Sequence, residues 1–239
     1  MRDIEVPSSR VRSVIGVALL VLAATVAACA PARIDLDAGV RERLPSASVV
    51  HVVVFPAEPP PLMTAKAVAT GSLFGPIGGG IAGARAAAVG KELMAKHNVE
   101  DLSAQLAKAV TDELKATLPN LERATEPPAG QSVDDLRQAG LRPLVLDINA
   151  GGIIMYYSSN WARYRLTYNG RVRLVDTEQG RVLWQGVCKL RGADDPAQGP
   201  TLDDLEAADG IAYRRLISEA TSACTAELLK QFRGQAPRE

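Results

Sequence analysis

The stretch Val49-Val50-His51-Val52-Val53-Val54-Phe55 (VVHVVVF) is an almost unbroken run of apolar, mostly β-branched residues. A Ser-containing segment precedes it and the Pro-rich segment 57–61 follows it, so residues that interrupt regular structure mark both ends. A run of this kind, without polar alternation, is typical of a strand covered on both faces. We therefore predict a central strand, in which His51 is a packed or hydrogen-bonded core residue; the alternative for His51 is a catalytic or ligand-binding role.

The chain beyond this strand changes from helical to strand periodicity. Apolar residues recur every four positions in 99–118, which predicts an amphipathic helix capped by Asn98, and Ser132 opens a shorter helix at 133–139. Further strands are predicted at 143–154, 163–175 and 182–190, and a last helix from 211 onward. The helical crossover makes the first two strands parallel, and the short later connections imply an antiparallel meander. The predicted fold class is α+β: a four-stranded mixed sheet packed by helices.

A Gly-rich insertion occupies 64–93. Gly71, Gly75, Gly79 and Gly83 recur every four residues, so one helix would present them as a smooth stripe. This pattern resembles a glycine zipper, as found in some membrane-inserting and envelope proteins, and 67–84 carries no charge. Against a regular helix stand a central proline and the triplet 78–80. Two interpretations remain: a flexible or loosely helical insertion on the domain or membrane surface, or a zipper that self-associates or enters the bilayer.

The N-terminus has the order of a secretory signal. Arginines precede the uncharged run 13–28, which is too short to span a bilayer comfortably. Val26-Ala27-Ala28-Cys29 resembles the lipobox of bacterial lipoproteins, which implies cleavage before Cys29 and attachment of diacylglycerol and a further acyl chain such as palmitate to Cys29. In that family Ala30, rather than aspartate, after the cysteine favours the outer membrane. An uncleaved anchor helix or an ordinary secreted protein is the alternative.

These features divide the chain into four parts. We predict a lipoprotein signal peptide at 1–28, a lipidated tether at 29–48, one periplasmic α/β domain at 49–233 that contains the Gly-rich insertion, and a disordered tail at 234–239. The tether is polar and poorly periodic. Because an extended residue spans about 3.5 Å, the tether reaches no more than roughly 65 Å, and the domain stays near the membrane.

The prediction for the remaining cysteines also depends on the lipobox. With Cys29 lipidated, Cys188 on a predicted strand and Cys224 on the last helix remain, an even number in an oxidising periplasm. We predict a disulfide between them, worth roughly 4 kcal/mol on the chain-entropy model. Two buried free thiols are the alternative.

Composition and motifs argue against several functions. The 27 basic and 27 acidic residues give no net positive charge for nucleic acid. Neither histidine belongs to a catalytic or metal-ligand pattern, and the dinucleotide-like spacing Gly78-x-Gly80-x-x-Gly83 has no strand leading into it. We therefore predict no enzyme activity and no cofactor besides the covalent lipid.

The predicted function is that of a non-enzymatic lipoprotein, anchored in the outer membrane and facing the periplasm, that acts as a binding or assembly module for the cell envelope. Its partners would be the membrane, through the anchor, and an envelope protein. The alternative is an oligomeric membrane-associated component that uses the Gly-rich segment for self-packing or bilayer insertion.

Overall fold

The VVHVVVF stretch forms β1 (Val50–Val54) inside a mixed sheet. The computed structural model describes residues 32–73 and 75–235. The other strands in these ranges are β2 (Leu62–Met63), β3 (Leu121–Arg123), β4 (Leu144–Tyr157), β5 (Asn160–Asp176) and β6 (Arg181–Arg191). Their order is β3-β1-β4-β5-β6, and β2 pairs with β4 near its end. The predicted mixed α+β class is confirmed; the sheet also contains two short strands, β2 and β3, that the four-strand prediction lacks.

The direction of the strands follows the predicted topology. β1 pairs in parallel with both β3 and β4. β4 pairs antiparallel with β5, and β5 antiparallel with β6, over most of their lengths. The parallel half therefore results from helical crossovers, and the antiparallel half from a meander with short connections.

The helices in the described ranges are α1 (Ala38–Arg43), α2 (Ala65–Leu73), α3 (Gly75–Lys96), α4 (Leu102–Leu114), α5 (Val133–Gln138), α6 (Leu202–Glu206) and α7 (Ile211–Phe232). α4 and α7 pack against each other and cover one face of the sheet. α4 begins later than predicted. Its cap is Asp101, whose carboxylate accepts from the Ala104 N–H at 3.0 Å, whereas Asn98 has a positive φ of 48° and lies outside the helix.

The predicted disulfide joins the sheet to its covering helix. Cys188 of β6 and Cys224 of α7 are bonded, with their Cα atoms 5.5 Å apart, and both side chains are buried. Four residues before Cys188 on the same face of β6, the ring of Trp184 meets the ring of Phe232 edge-on, with the ring centroids 5.0 Å apart. The β6–α7 contact is therefore both covalent and closely packed.

The opposite face of the sheet is covered at one end by α5. Leu136 of α5 packs into a small cluster with Val53, Val145 and Val175. Ser132 and the Asp135 side chain form a reciprocal capping box that starts α5, as the sequence indicates. α5 therefore holds the carboxyl-side half of β1 against its neighbours.

Part of the predicted tether is folded. Ile34 exchanges two backbone hydrogen bonds with Gln185 of β6, at 3.0 and 2.9 Å, and Leu36 and Leu44 are buried. Asp37 caps α1 between them. The compact unit begins at Arg33, so the described part of the segment 33–48 packs on the domain. The reason is that one backbone bridge and two leucines, separated by polar residues, suffice to dock this segment although it has no regular hydrophobic period.

Candidate interaction surface

The Gly-rich insertion forms a helical hairpin from α2 and α3. The Thr64 hydroxyl accepts from the Ala67 N–H at 3.1 Å at the start of α2. Pro76 is the second residue of α3, a first-turn position where the missing N–H would have no helical partner. Pro76 therefore begins a helix instead of interrupting one, and the Ala-rich stretch after the glycine triplet supplies strong helix formers. The insertion is helical. No single regular helix runs through it, as expected from the proline, because α2 ends at Leu73 and Pro76 lies in the first turn of α3; the expectation that the triplet 78–80 breaks the helix is wrong.

The second half of α3 docks on the domain. A methyl group on Gly90 would overlap the carbonyl of Pro60, so the helix approaches that backbone as closely as only glycine allows. Leu93 is buried in the main core. His97 is 3% exposed: its ring lies 5.6 Å from that of Tyr213, and Nε2–H donates to the Leu205 carbonyl at 3.0 Å. The signal that locates His97 is its helical spacing from Leu93, four residues earlier.

Four described uncharged residues in the first half of α3, at 79, 80, 81 and 84, are exposed. Residues 67–84 carry no charge, and we call them the uncharged arm. Ile81 is 53% exposed, and a methyl group added to Gly79, Gly80 or Gly83 would meet no atom within 4 Å. An uncharged helical surface that no other element of the described ranges covers is a candidate interaction surface.

The structure divides the predicted glycine stripe. Gly71 belongs to α2 and is buried, whereas Gly75, Gly79 and Gly83 belong to α3. One continuous helix therefore does not present all four residues. Gly79 and Gly83 remain open to a second helix, and Gly71 faces the space between α2 and α3.

That space is a groove of about 400 Å³ between α2 and α3. Its buried lining includes Gly71, Ala82 and Ala86. Its exposed lining includes Lys66 and Arg85. We call this cavity the groove. It is an apolar slot with two cations.

A buried ionic cluster on the face of the sheet opposite α4 and α7 is a further candidate for a chemically active site. Asp147 is fully buried, accepts from Arg173 Nε at 2.7 Å, and has Arg171 Nη2 3.8 Å away. Burial raises the pKa of Asp147, and the two guanidinium groups oppose that rise. Arg171 and Arg173 both donate to Gln131, at 2.5 Å each. The cluster therefore ties β4, β5 and the segment before α5 together, which is a structural role.

The other predicted site residues fall in three places. Cys29 and the signal peptide lie outside the described residues. Cys188 and Cys224 are in the core. His51 is half-buried, and its Nε2–H donates to the Arg142 carbonyl at 3.0 Å, which confirms a hydrogen-bonded histidine.

The described ranges contain neither a metal-site cluster nor a membrane-spanning helix. No cluster of three or more His, Cys, Asp or Glu side chains in 32–73 and 75–235 has the arrangement of a metal site. Among the helices of those same ranges, none has both the length and the apolar character needed to cross a membrane.

The described chain is thus a mixed α+β domain with a helical hairpin. Neither a protein-family model nor a characterised protein matches its sequence. Among solved structures, it is distantly similar to the PelC dodecamer from Paraburkholderia phytofirmans, with 12% identity, a TM-score of 0.37, and 86% of this chain and 98% of that chain covered. Hypothetical protein CT253 from Chlamydia trachomatis gives 13% identity and a TM-score of 0.28, covering 76% of this chain and 98% of that chain. Likeness at this level carries no inference about function or assembly.

Proposed function

We propose that this chain is a non-enzymatic lipoprotein, anchored through a lipid on Cys29 in the outer membrane and facing the periplasm, whose domain is a binding or assembly module of the cell envelope. The uncharged arm is its contact surface. The lipobox-like Val26-Ala27-Ala28-Cys29 and the following Ala30 support the location. The exposure of the arm supports the role.

The uncharged arm supports the proposal because its residues carry no charge and several of them are nevertheless exposed to solvent. An uncharged helical segment normally packs into a core, where burial of an Ile side chain contributes about 1.5–3 kcal/mol. Ile81 is instead more than half exposed, and the glycines near it are uncovered. A partner that covers this surface would recover that burial energy.

The partner is tested by photocrosslinking in intact cells. A photoreactive amino acid replaces Ile81 in one variant and Ile211 in a control variant. Ile211 is an equally apolar and similarly exposed residue, 62%, at the start of α7. We expect a discrete adduct from position 81 and none of the same mass from position 211. Identical adduct patterns at both positions would count against the arm as the contact surface.

The anchor is tested by membrane fractionation of Cys29→Ala. Loss of the lipid should move the protein out of the outer-membrane fraction, because several acyl chains together hold a protein at the membrane and no other described segment replaces them. An Ala30→Asp variant gives a matched control that retains lipidation; by the lipoprotein sorting rule it should shift to the inner membrane. Unchanged outer-membrane recovery of Cys29→Ala would contradict the anchor.

A second candidate function is self-association through α3. It is favoured by the open positions of Gly79 and Gly83, which are one helical turn apart and accept a closely approaching helix. Gly83→Leu should abolish dimers or larger species in sedimentation experiments, whereas Ala88→Leu, at an exposed position of the same helix, should not. An unchanged mass distribution in Gly83→Leu would exclude this candidate.

A further inference from the structure

The two edges of the sheet differ in how their backbone groups are occupied. At the β6 edge, Gln185 exchanges two backbone hydrogen bonds with Ile34. Beside it, the side-chain amide of Gln231 accepts from the Val187 N–H at 3.1 Å and donates to the Val187 carbonyl at 2.9 Å. These contacts block strand pairing at both positions, as is usual where native proteins protect an exposed edge.

β3 forms the opposite edge of the sheet, and its pairing with β1 uses only alternate residues. The Asn120 carbonyl accepts from β1 and the Ala124 N–H donates to β1, both at 2.9 Å. Because backbone groups alternate in direction along a parallel strand, those of Leu121 and Arg123 point away from β1. Within the described part of the chain, no strand pairs with β3 on that side. The β3 edge therefore offers main-chain donors and acceptors to a further strand.

A pocket of about 330 Å³ lies beside this edge, between β1, β3 and α4, and we call it the edge pocket. Leu121 and Arg123 are in its lining, so their side chains lie on the α4 face of the sheet. Val52 and Ala107, both buried, give the pocket an apolar floor. A strand added to β3 would place every second side chain over this pocket, which is how strand addition gains specificity.

The rim of the edge pocket is more basic than acidic. Lys108, Lys115 and Arg123 line the pocket together with Glu100, and all four side chains are exposed. Asp112 pairs with both lysines. These five groups carry three positive charges and two negative charges, and complementarity therefore favours an acidic occupant over a basic one.

A second copy of the chain fits this edge poorly. Two β3 strands paired about a twofold axis at their centre would set Glu122 directly opposite its own equivalent, and like charges in that position are destabilising. Pairing with the β6 edge of another copy is blocked at Gln185 and Val187 by the contacts described above. The occupant is therefore a different chain.

We propose that the β3 edge binds an extended segment of a partner protein by strand addition. The segment pairs with Leu121 and Arg123, places an apolar side chain in the edge pocket, and carries an acidic side chain two positions away on the same face, toward the basic rim. This site lies outside the uncharged arm and does not rest on the function proposed above.

Selection from a phage-displayed library of random peptides tests the site with the full-length protein in detergent. Peptides of about nine residues cover the usual length of a strand. We expect the enriched sequences to share an apolar residue with an acidic residue two positions before or after it. The most enriched peptide is then synthesised with a fluorophore, and fluorescence anisotropy measures its dissociation constant.

Arg123→Pro and Arg123→Ala separate the backbone contact from the charge. Both variants lack the guanidinium group, but only proline removes the outward N–H, which the pairing of β3 with β1 does not use. We expect Arg123→Pro to bind the peptide about fivefold more weakly than Arg123→Ala, as for the loss of one main-chain hydrogen bond. Circular dichroism checks that both variants keep the fold.

The edge pocket is tested with a matched pair of substitutions on α4. Ala104 is half-buried and lines the pocket, whereas Ala109 is half-buried outside that lining. Ala104→Leu fills the pocket and should weaken peptide binding, and Ala109→Leu should leave the dissociation constant unchanged.

Four results would overturn the proposal. They are a library that yields no peptide binding the parent better than Arg123→Pro, enriched peptides without the apolar and acidic spacing, equal effects of Ala104→Leu and Ala109→Leu, and dimers in sedimentation experiments that Arg123→Pro abolishes. The last result would mean that a second copy occupies the edge. None of these readouts involves the crosslink at position 81, so failure of this proposal is distinguishable from failure of the proposed function.

Discussion

The disulfide region and the uncharged arm use the same small residues in opposite ways. Gly170 of β5 lies beneath the disulfide, where an added methyl group would be 2.7 Å from Cys224 Sγ and 2.9 Å from Leu106 Cδ2. Gly79 of α3 has no atom within 4 Å of that position. At Gly170 the absent side chain permits close packing, whereas at Gly79 it leaves a surface uncovered.

This difference indicates a division of roles. The sheet, α4 and α7 enclose most of the buried side chains and the disulfide, so they form the scaffold of the domain. The arm is joined to that scaffold through the second half of α3, at Gly90 and Leu93. Changes in the scaffold should therefore alter the free energy of unfolding, and changes in the arm should alter binding.

The largest effect should come from the disulfide. In a Cys188→Ser, Cys224→Ser double variant, the unfolded chain regains the entropy of an open loop, and the free energy of unfolding should fall by about 4 kcal/mol. Chemical denaturation with matched slopes measures the loss. The crosslink from position 81 should persist under native conditions. A variant with the parent's midpoint would show that the disulfide does not set scaffold stability.

Loss of the buried carboxylate should have the next largest effect. Asp147→Ala leaves Arg171 and Arg173 without their counter-ion in a buried setting and should destabilise the protein by about 3 kcal/mol. Asp112→Ala is the control: Asp112 pairs with Lys108 and Lys115 in solvent on α4, and its loss should change the unfolding midpoint little. Equal shifts of the unfolding midpoint in the two variants would show that the ionic cluster does not stabilise the scaffold.

Gly170→Ala adds a single methyl group and so tests the close packing beside the disulfide. The group has no room beside the disulfide and Leu106, and overpacking should destabilise the protein by about 1–3 kcal/mol. Gly151→Ala on β4 is the control, because its nearest atom would be at an ordinary 3.6 Å. Thermal unfolding of both variants and of the parent measures the difference. A higher midpoint for Gly170→Ala than for Gly151→Ala would contradict the close packing at Gly170.

Gly79→Ala should have the smallest effect and the opposite sign. The new methyl group meets nothing and replaces glycine inside a helix, so it should stabilise α3 by about 0.5–1 kcal/mol. Hydrogen exchange of the α3 amides measures this change, because global unfolding need not report it. Faster exchange in Gly79→Ala than in the parent would mean that this face of α3 is covered.

The fold was predictable where sequence period and cap agree. β1 is an unbroken apolar run, the strands of the β5–β6 hairpin alternate, and α5 carries a capping signal. β2 and β3, with two and three residues, are too short to show a period and exist because β4 and β1 offer unpaired edges. The docking of Ile34 on Gln185 likewise depends on an edge distant in sequence.

The candidate site was predictable only in part. The uncharged stretch and the glycines are visible in the sequence, and they mark the arm. The packing of α2 against α3 is not visible in the sequence, and it places Gly71 in the lining of the groove whereas Gly79 and Gly83 are not in that lining. The packing of α2 against α3 places Lys66 and Arg85 in the lining of the same groove. The periodicity of a single helix does not indicate that these two residues share a site.

Residue-resolved hydrogen exchange of the full-length protein most directly tests the central claim, that a weakly packed binding arm is attached to a stable scaffold. We predict that amides of α2 and of residues 79–85 exchange through local openings, at free energies well below those of β5 and α7, which exchange only on global unfolding. The same opening free energy in both regions would contradict the claim, because the arm would then be part of the cooperative core.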